Sequence, residues 1–106
     1  MTSRLWPAAL AVLASCFAGG ALAQAATPQD NLYLRGLAAT CANCHGTGGQ
    51  AVAGSANATL AGRTDIATQL KAFKSGARPA TVMHQLAKGY SDAQIEAIAG
   101  YFAAQK

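Results

Sequence analysis

The sequence predicts an all-α domain. Apolar residues recur at helical spacing in three stretches, two loops rich in glycine or proline separate them, and no strand-like alternation or internal repeat interrupts the pattern. The first helix is expected to start near Pro28, since proline suits an early helical position and Asp30 is favourable beside the positive end of the helix dipole. It runs through Leu32, Leu34 and Leu37. Gly36 interrupts it at a cost of about 1 kcal/mol relative to alanine, which predicts a point of close approach for an aromatic side chain from the last helix.

Residues 46–62 hold five glycines among small and polar neighbours and read as an irregular loop. Thr64 and Asp65 then open a second helix, with Ile66, Leu70, Phe73 and Ala77 on one face and Lys71, Lys74 and Arg78 on another. Beyond Gly76 and Pro79 lies a second loop, Ala80 to Tyr90, with room for a short helical turn. Ser91-Asp92-Ala93-Gln94 has the form of a capping box, so the last helix begins there and carries Ile95, Ile98, Tyr101 and Phe102 toward the first.

The chemistry is concentrated in Cys41-Ala42-Asn43-Cys44-His45, a C-x-x-C-H pentapeptide. Two thiols at this spacing can each add across a haem vinyl group, and the adjoining imidazole then lies where it can bind iron. A structural zinc site would need further ligands, yet the other cysteine is Cys16 and the other histidine His84. A redox dithiol of the thioredoxin type would sit in a βαβ pattern, and no strand is expected near Cys41. The expected cofactor is therefore one haem c, covalently attached.

The N-terminus reads as an export signal. Arg4 supplies a positive n-region, Leu5 to Ala14 are mainly apolar, and Ala21-Leu22-Ala23 is a small-x-small site for cleavage before Gln24. Residues 1–23 are thus expected to be a signal peptide and residues 24–106 one monohaem domain in the periplasm. Pro7 and the short apolar run argue against a permanent span. A second processing route is lipidation of Cys16 in Leu13-Ala14-Ser15-Cys16, against which stands the apolar stretch that follows it. So short a domain has a thin core, and a covalently tied apolar cofactor is expected to complete it.

Met83 lies far enough beyond His45 to reach the opposite face of a haem, and a thioether there would favour ferrous iron and close the metal to outside molecules. It competes with a packing role and with the adjacent His84, a nitrogen ligand in its own right. The formal net charge of +4, from 8 Lys and Arg against 4 Asp and Glu, is modest. No dense basic run interleaved with aromatics points to nucleic acid. Arg63, Lys71, Lys74, Arg78 and Lys88 are instead available to steer an acidic protein partner.

The chain resembles the class I c-type cytochromes, and more narrowly the haem subunit of flavocytochrome c sulfide dehydrogenase. The resemblance spans most of Leu34 to Phe102, carried by Leu37 to Thr47 around the pentapeptide, Leu60-Ala61-Gly62, Arg78 to Gln85, Lys88-Gly89-Tyr90 and Asp92 to Phe102. It implies the small cytochrome c-like fold wrapped around one haem. By the same resemblance Cys41 and Cys44 attach that haem, His45 and Met83 are its axial ligands, and a flavoprotein subunit with covalent FAD oxidises sulfide and passes electrons to it. The chain departs from the family where Ala58-Thr59 replaces a proline before Leu-Ala-Gly, which predicts a looser backbone beside the histidine. It also holds one C-x-x-C-H where related subunits can hold two.

Two other functions remain open at this stage. One is a free-standing periplasmic shuttle serving a terminal oxidase or another redox enzyme. The other is a haem enzyme or gas sensor, which would need an open sixth position and a polar distal group such as His84.

Overall fold

The computed structural model describes residues 28–106, and every described element is helical. The segment expected to be a signal peptide, and Cys16 with it, lies outside the described residues. Four α-helices follow in order: α1 (Pro28–His45), α2 (Ile66–Ser75), α3 (Met83–Lys88) and α4 (Asp92–Ala103), with a single 3-10 turn at Thr47–Gly49. The all-α expectation holds, and the helical turn for which the second loop had room is α3. A helix of six residues is too short to be stable alone, so it depends on α2, against which it packs.

The described part of α1 begins at Pro28, and the helix carries the whole pentapeptide in its last turns. It stops after His45 because Gly46 turns away with φ +81°, where a β-carbon would overlap the Gln50 carbonyl. At the start of α4 both halves of the capping box form: Gln94 N–H donates to Ser91 Oγ at 3.1 Å, and Ser91 N–H donates to Gln94 Oε1 at 2.9 Å. Asp65 is the N-cap residue of α2, but its carboxylate does not cap. It pairs with Arg63 instead.

The core is small. Ala38 of α1, Ile66 and Leu70 of α2, Ala87 of α3 and Ile95, Ile98 and Phe102 of α4 are its buried members. Among them Ile95, Ile98 and Phe102 are the largest side chains fully enclosed. Ala77, expected on the apolar face of the second helix, lies beyond the end of α2 and is exposed.

Helices α1 and α4 meet as predicted, but not at Gly36. That glycine is exposed, and a β-carbon built on it would meet nothing within 4 Å. The residue of α1 in the interior is Ala38, and the glycine that receives an aromatic ring is Gly49 in the loop. A β-carbon there would fall 2.7 Å from Phe102 Cδ1 and 2.9 Å from Ala61 N. The expectation failed because spacing along α1 does not say which of its faces the docking angle presents to α4.

The glycine-rich loop is pinned at several points. Gly49 O accepts from Leu60 N–H at 2.7 Å and from Ala61 N–H at 3.2 Å, and Gly62 N–H donates to Phe102 O at 2.9 Å. Gln50 Nε2 donates to Lys106 O at 3.0 Å. These bonds fold the loop back against the C-terminal end of α4 and hold residues 56–58 at the mouth of the site described next.

Candidate functional site

A cavity of about 370 Å³ opens between the end of α1, the glycine-rich loop, α2 and α3. Its wall includes Cys41, Cys44 and His45 from α1 and Met83 from the first position of α3. The two thiols are three residues apart on a helix and therefore share one side of it. Cys44 is exposed, while Cys41 is half-buried, and burial pushes the Cys41 thiol up against a smaller opposing pull from the Thr40 hydroxyl. Thiol chemistry from solvent thus reaches Cys44 more readily than Cys41.

His45 Nδ1 lies 2.5 Å from the carbonyl oxygen of Ala58. A carbonyl can only accept, so Nδ1 carries the proton and Nε2 keeps its lone pair for a metal. In the segment where the sequence lacks the family's proline, Thr59 Oγ1 accepts from Ala51 N–H at 3.3 Å.

Met83 and His84 are separated by their position on α3. Met83 lines the cavity and packs on the core, whereas His84 is absent from the cavity wall and its Nδ1 is buried without a hydrogen-bond partner. Successive helical residues diverge by about 100°, which puts adjacent side chains on different faces. Among the described residues no group of three or more His, Cys, Asp and Glu side chains could hold a metal ion.

The remaining wall is mainly apolar. Ile66, Leu70 and Phe73 of α2 and Leu60, Leu86 and Ile98 contribute to it. A polar spot lies beside Cys41, where Thr40 Oγ1 and Tyr90 Oη are 2.5 Å apart and Thr40 also donates to Leu37 O at 3.1 Å. Paired thiols, an imidazole with a free Nε2, a thioether and an apolar surround suit a covalently held haem. Cys41 and Cys44 would attach it, while His45 and Met83 offer a nitrogen and a sulfur donor on the same cavity wall.

The protein-family model described as "Cytochrome C oxidase, cbb3-type, subunit III" matches residues 25–102. The chain belongs to this cytochrome c family. Its cofactor is haem c, and among its relatives is one named for accepting electrons. A "Thiosulfate dehydrogenase electron acceptor" of Thiomonas intermedia is 36% identical over 92% of this chain and 43% of its own length. A "Cytochrome subunit of sulfide dehydrogenase" of Chlorobaculum tepidum is 43% identical over 62% of this chain and 60% of its own length. A "Cytochrome c-554(548)" of Halomonas halodenitrificans is 38% identical over 63% of this chain and 86% of its own length. The cytochrome therefore spans less than two thirds of the length of the first two relatives. Among the described residues no helix is long and apolar enough to cross a membrane.

Sequence reasoning did not find the Ala58 carbonyl, the Thr40 and Tyr90 hydroxyl pair, or the surroundings of the cations. Backbone carbonyls leave no mark in a sequence, and the hydroxyl pair joins residues that only folding brings together. Of the five cations expected to steer a partner, three form ion pairs within the chain. Arg63 pairs with Asp65, Lys71 with Glu96, and Lys74 with Asp92. Lys74 also donates to Tyr90 O at 2.8 Å.

Proposed function

We propose that this cytochrome is an exported, periplasmic carrier of one haem, ligated by His45 and Met83, that accepts electrons from a dehydrogenase of reduced sulfur compounds. The observation that carries the proposal is the cavity wall shared by Cys41, Cys44, His45 and Met83. Bound there, haem c supplies a ferric and ferrous pair that takes up and releases one electron. The chain's own part is to fix the imidazole through Ala58, to shield the site with apolar side chains, and to present a thioether, which favours the reduced state.

The finer reading of the donor is a flavoprotein sulfide dehydrogenase subunit carrying FAD. Support comes from the sequence resemblance and from the printed name of the Chlorobaculum relative. A thiosulfate dehydrogenase is a second reading, favoured by the wider span of this chain that the Thiomonas relative matches. Both donors deliver electrons drawn from reduced sulfur to a haem protein.

The test is purification of the native complex by affinity from its own cells, followed by flavin analysis and by assays of haem reduction with sulfide and with thiosulfate. Co-purifying flavin with sulfide-dependent reduction supports the first donor, and flavin-free reduction by thiosulfate supports the second. Absence of reduction by either compound in a complex of intact haem spectrum refutes both.

A further inference from the structure

Met83 is carried by a short element whose ends must be held from outside. Helix α3 has six residues, and the two that follow it, Gly89 and Tyr90, lead straight into Ser91, the N-cap of α4. A helix of this length has no stability of its own. Its leading end gains nothing from a side-chain cap, since the N-cap residue is Val82, so the trailing end is where side chains can fix it.

Tyr90 ties that trailing end to two other helices. Its carbonyl oxygen accepts from Lys74 Nζ of α2 at 2.8 Å, and its phenol oxygen lies 2.5 Å from Thr40 Oγ1 of α1. The direction of the second bond follows from the number of protons. A threonine hydroxyl has one, and Thr40 gives it to Leu37 O at 3.1 Å, so Tyr90 donates and Thr40 Oγ1 accepts. Thr40 immediately precedes Cys41, both hydroxyl residues line the cavity, and Tyr90 packs on the core as Met83 does. The bond therefore joins the wall that bears the paired thiols to the segment that bears the thioether.

We propose that the Tyr90 and Thr40 hydroxyls form a clasp that holds α3 against α1 and sets how often the thioether side of the cavity opens to outside molecules. The inference rests on the reading of a haem attached at Cys41 and Cys44 and ligated by His45 and Met83. One end of the clasp then sits beside a covalent anchor, while the other moves with α3. Parting Tyr90 from Thr40 frees the trailing end of that helix, and Met83 withdraws with it. Both hydroxyl residues act by positioning, and neither bonds to the metal. Loss of one such hydrogen bond shifts an equilibrium by a factor of about 2–10. The apparent affinity of a molecule that enters the open form alone changes by the same factor.

The test uses the haem-loaded ferric protein, titrated with imidazole while the methionine-to-iron absorption band is followed. The variants are Tyr90→Phe, Thr40→Val, both together, Thr40→Ser and Tyr33→Phe. Tyr33 is the control because its phenol oxygen accepts from Gln94 Nε2 at 3.0 Å, a bond between α1 and α4 that lies off the cavity wall. The expected result is an imidazole affinity about 2–10 times higher in Y90F and in T40V, little further gain in the double variant, and native affinity in T40S and Y33F. A Y90F protein with unchanged affinity overturns the clasp, as does an equal gain in Y33F or full additivity of the two single changes. Should Y90F not assemble, unchanged affinity in T40V, altered at an exposed position, overturns it equally. A native protein that takes up haem but lacks the methionine band refutes the ligand reading itself, and the clasp with it.

Discussion

Gly49 packs against the ring of Phe102 so closely that its missing side chain is part of the contact. With φ at +82° and the Ala61 backbone on the same side, this glycine combines an unfavourable conformation for other residues with no room for a methyl group. Gly49→Ala is expected to destabilise the holoprotein by about 2–4 kcal/mol, adding left-handed strain to overpacking. Gly36→Ala, in an exposed part of α1 with no neighbour within 4 Å, is expected to stabilise it by about 0.5–1 kcal/mol. Denaturant midpoints of the two variants check both signs.

The cavity wall separates Met83, the proposed axial ligand, from His84. Met83→Ala is expected to lower the reduction potential, abolish the methionine-to-iron absorption band and let carbon monoxide bind the reduced protein. His84→Ala should leave all three observations as they are, since His84 does not line the cavity. A band that survives in M83A, or vanishes in H84A, would reverse the assignment.

Removal of both thiols tests whether the cofactor completes the interior. With three large side chains fully enclosed, the polypeptide has little apolar burial to set against its conformational entropy. A variant with Cys41→Ala and Cys44→Ala, isolated without haem, should show far less helical circular dichroism than the holoprotein. Native-like helicity would mean that the protein core suffices.

Acid stability follows from two carboxylates. The Arg63 hydrogen bond holds Asp65 below the usual carboxylate range, and the Lys74 hydrogen bond does the same for Asp92. A carboxyl whose pKa is lower in the folded than in the unfolded chain contributes stability above the unfolded value, near pH 4, and loses it as pH falls through the folded value. Both groups are exposed, so the contribution is small and screened by salt. The double variant D65N and D92N should therefore lose less stability than the native protein between pH 5 and pH 3, measured by thermal melting at low ionic strength.

The α4 start offers a local check. Ser91→Ala removes the acceptor for Gln94 N–H and should cost about 1 kcal/mol. Ser91→Asp should retain most of the stability, because a carboxylate can accept the same bond and is favourable at a helix N-terminus.

The amino-acid sequence by itself determined the features that arise between near neighbours. These are the helical character of the stretch that leads into the pentapeptide, the paired thiols and imidazole of Cys41, Cys44 and His45, the capping box of Ser91 and Gln94, and hence the cofactor. Each depends on spacings of one to four residues, which backbone geometry converts directly into a shared face or a closed hydrogen bond. Tertiary structure decided that Gly49 and not Gly36 receives an aromatic ring, that Ala58 fixes the His45 imidazole, and that Met83 lines the cavity while His84 does not. For the contacts between distant residues the physical reason is docking: which face a helix turns inward, and where a loop is pinned, follow from the packing of the whole core.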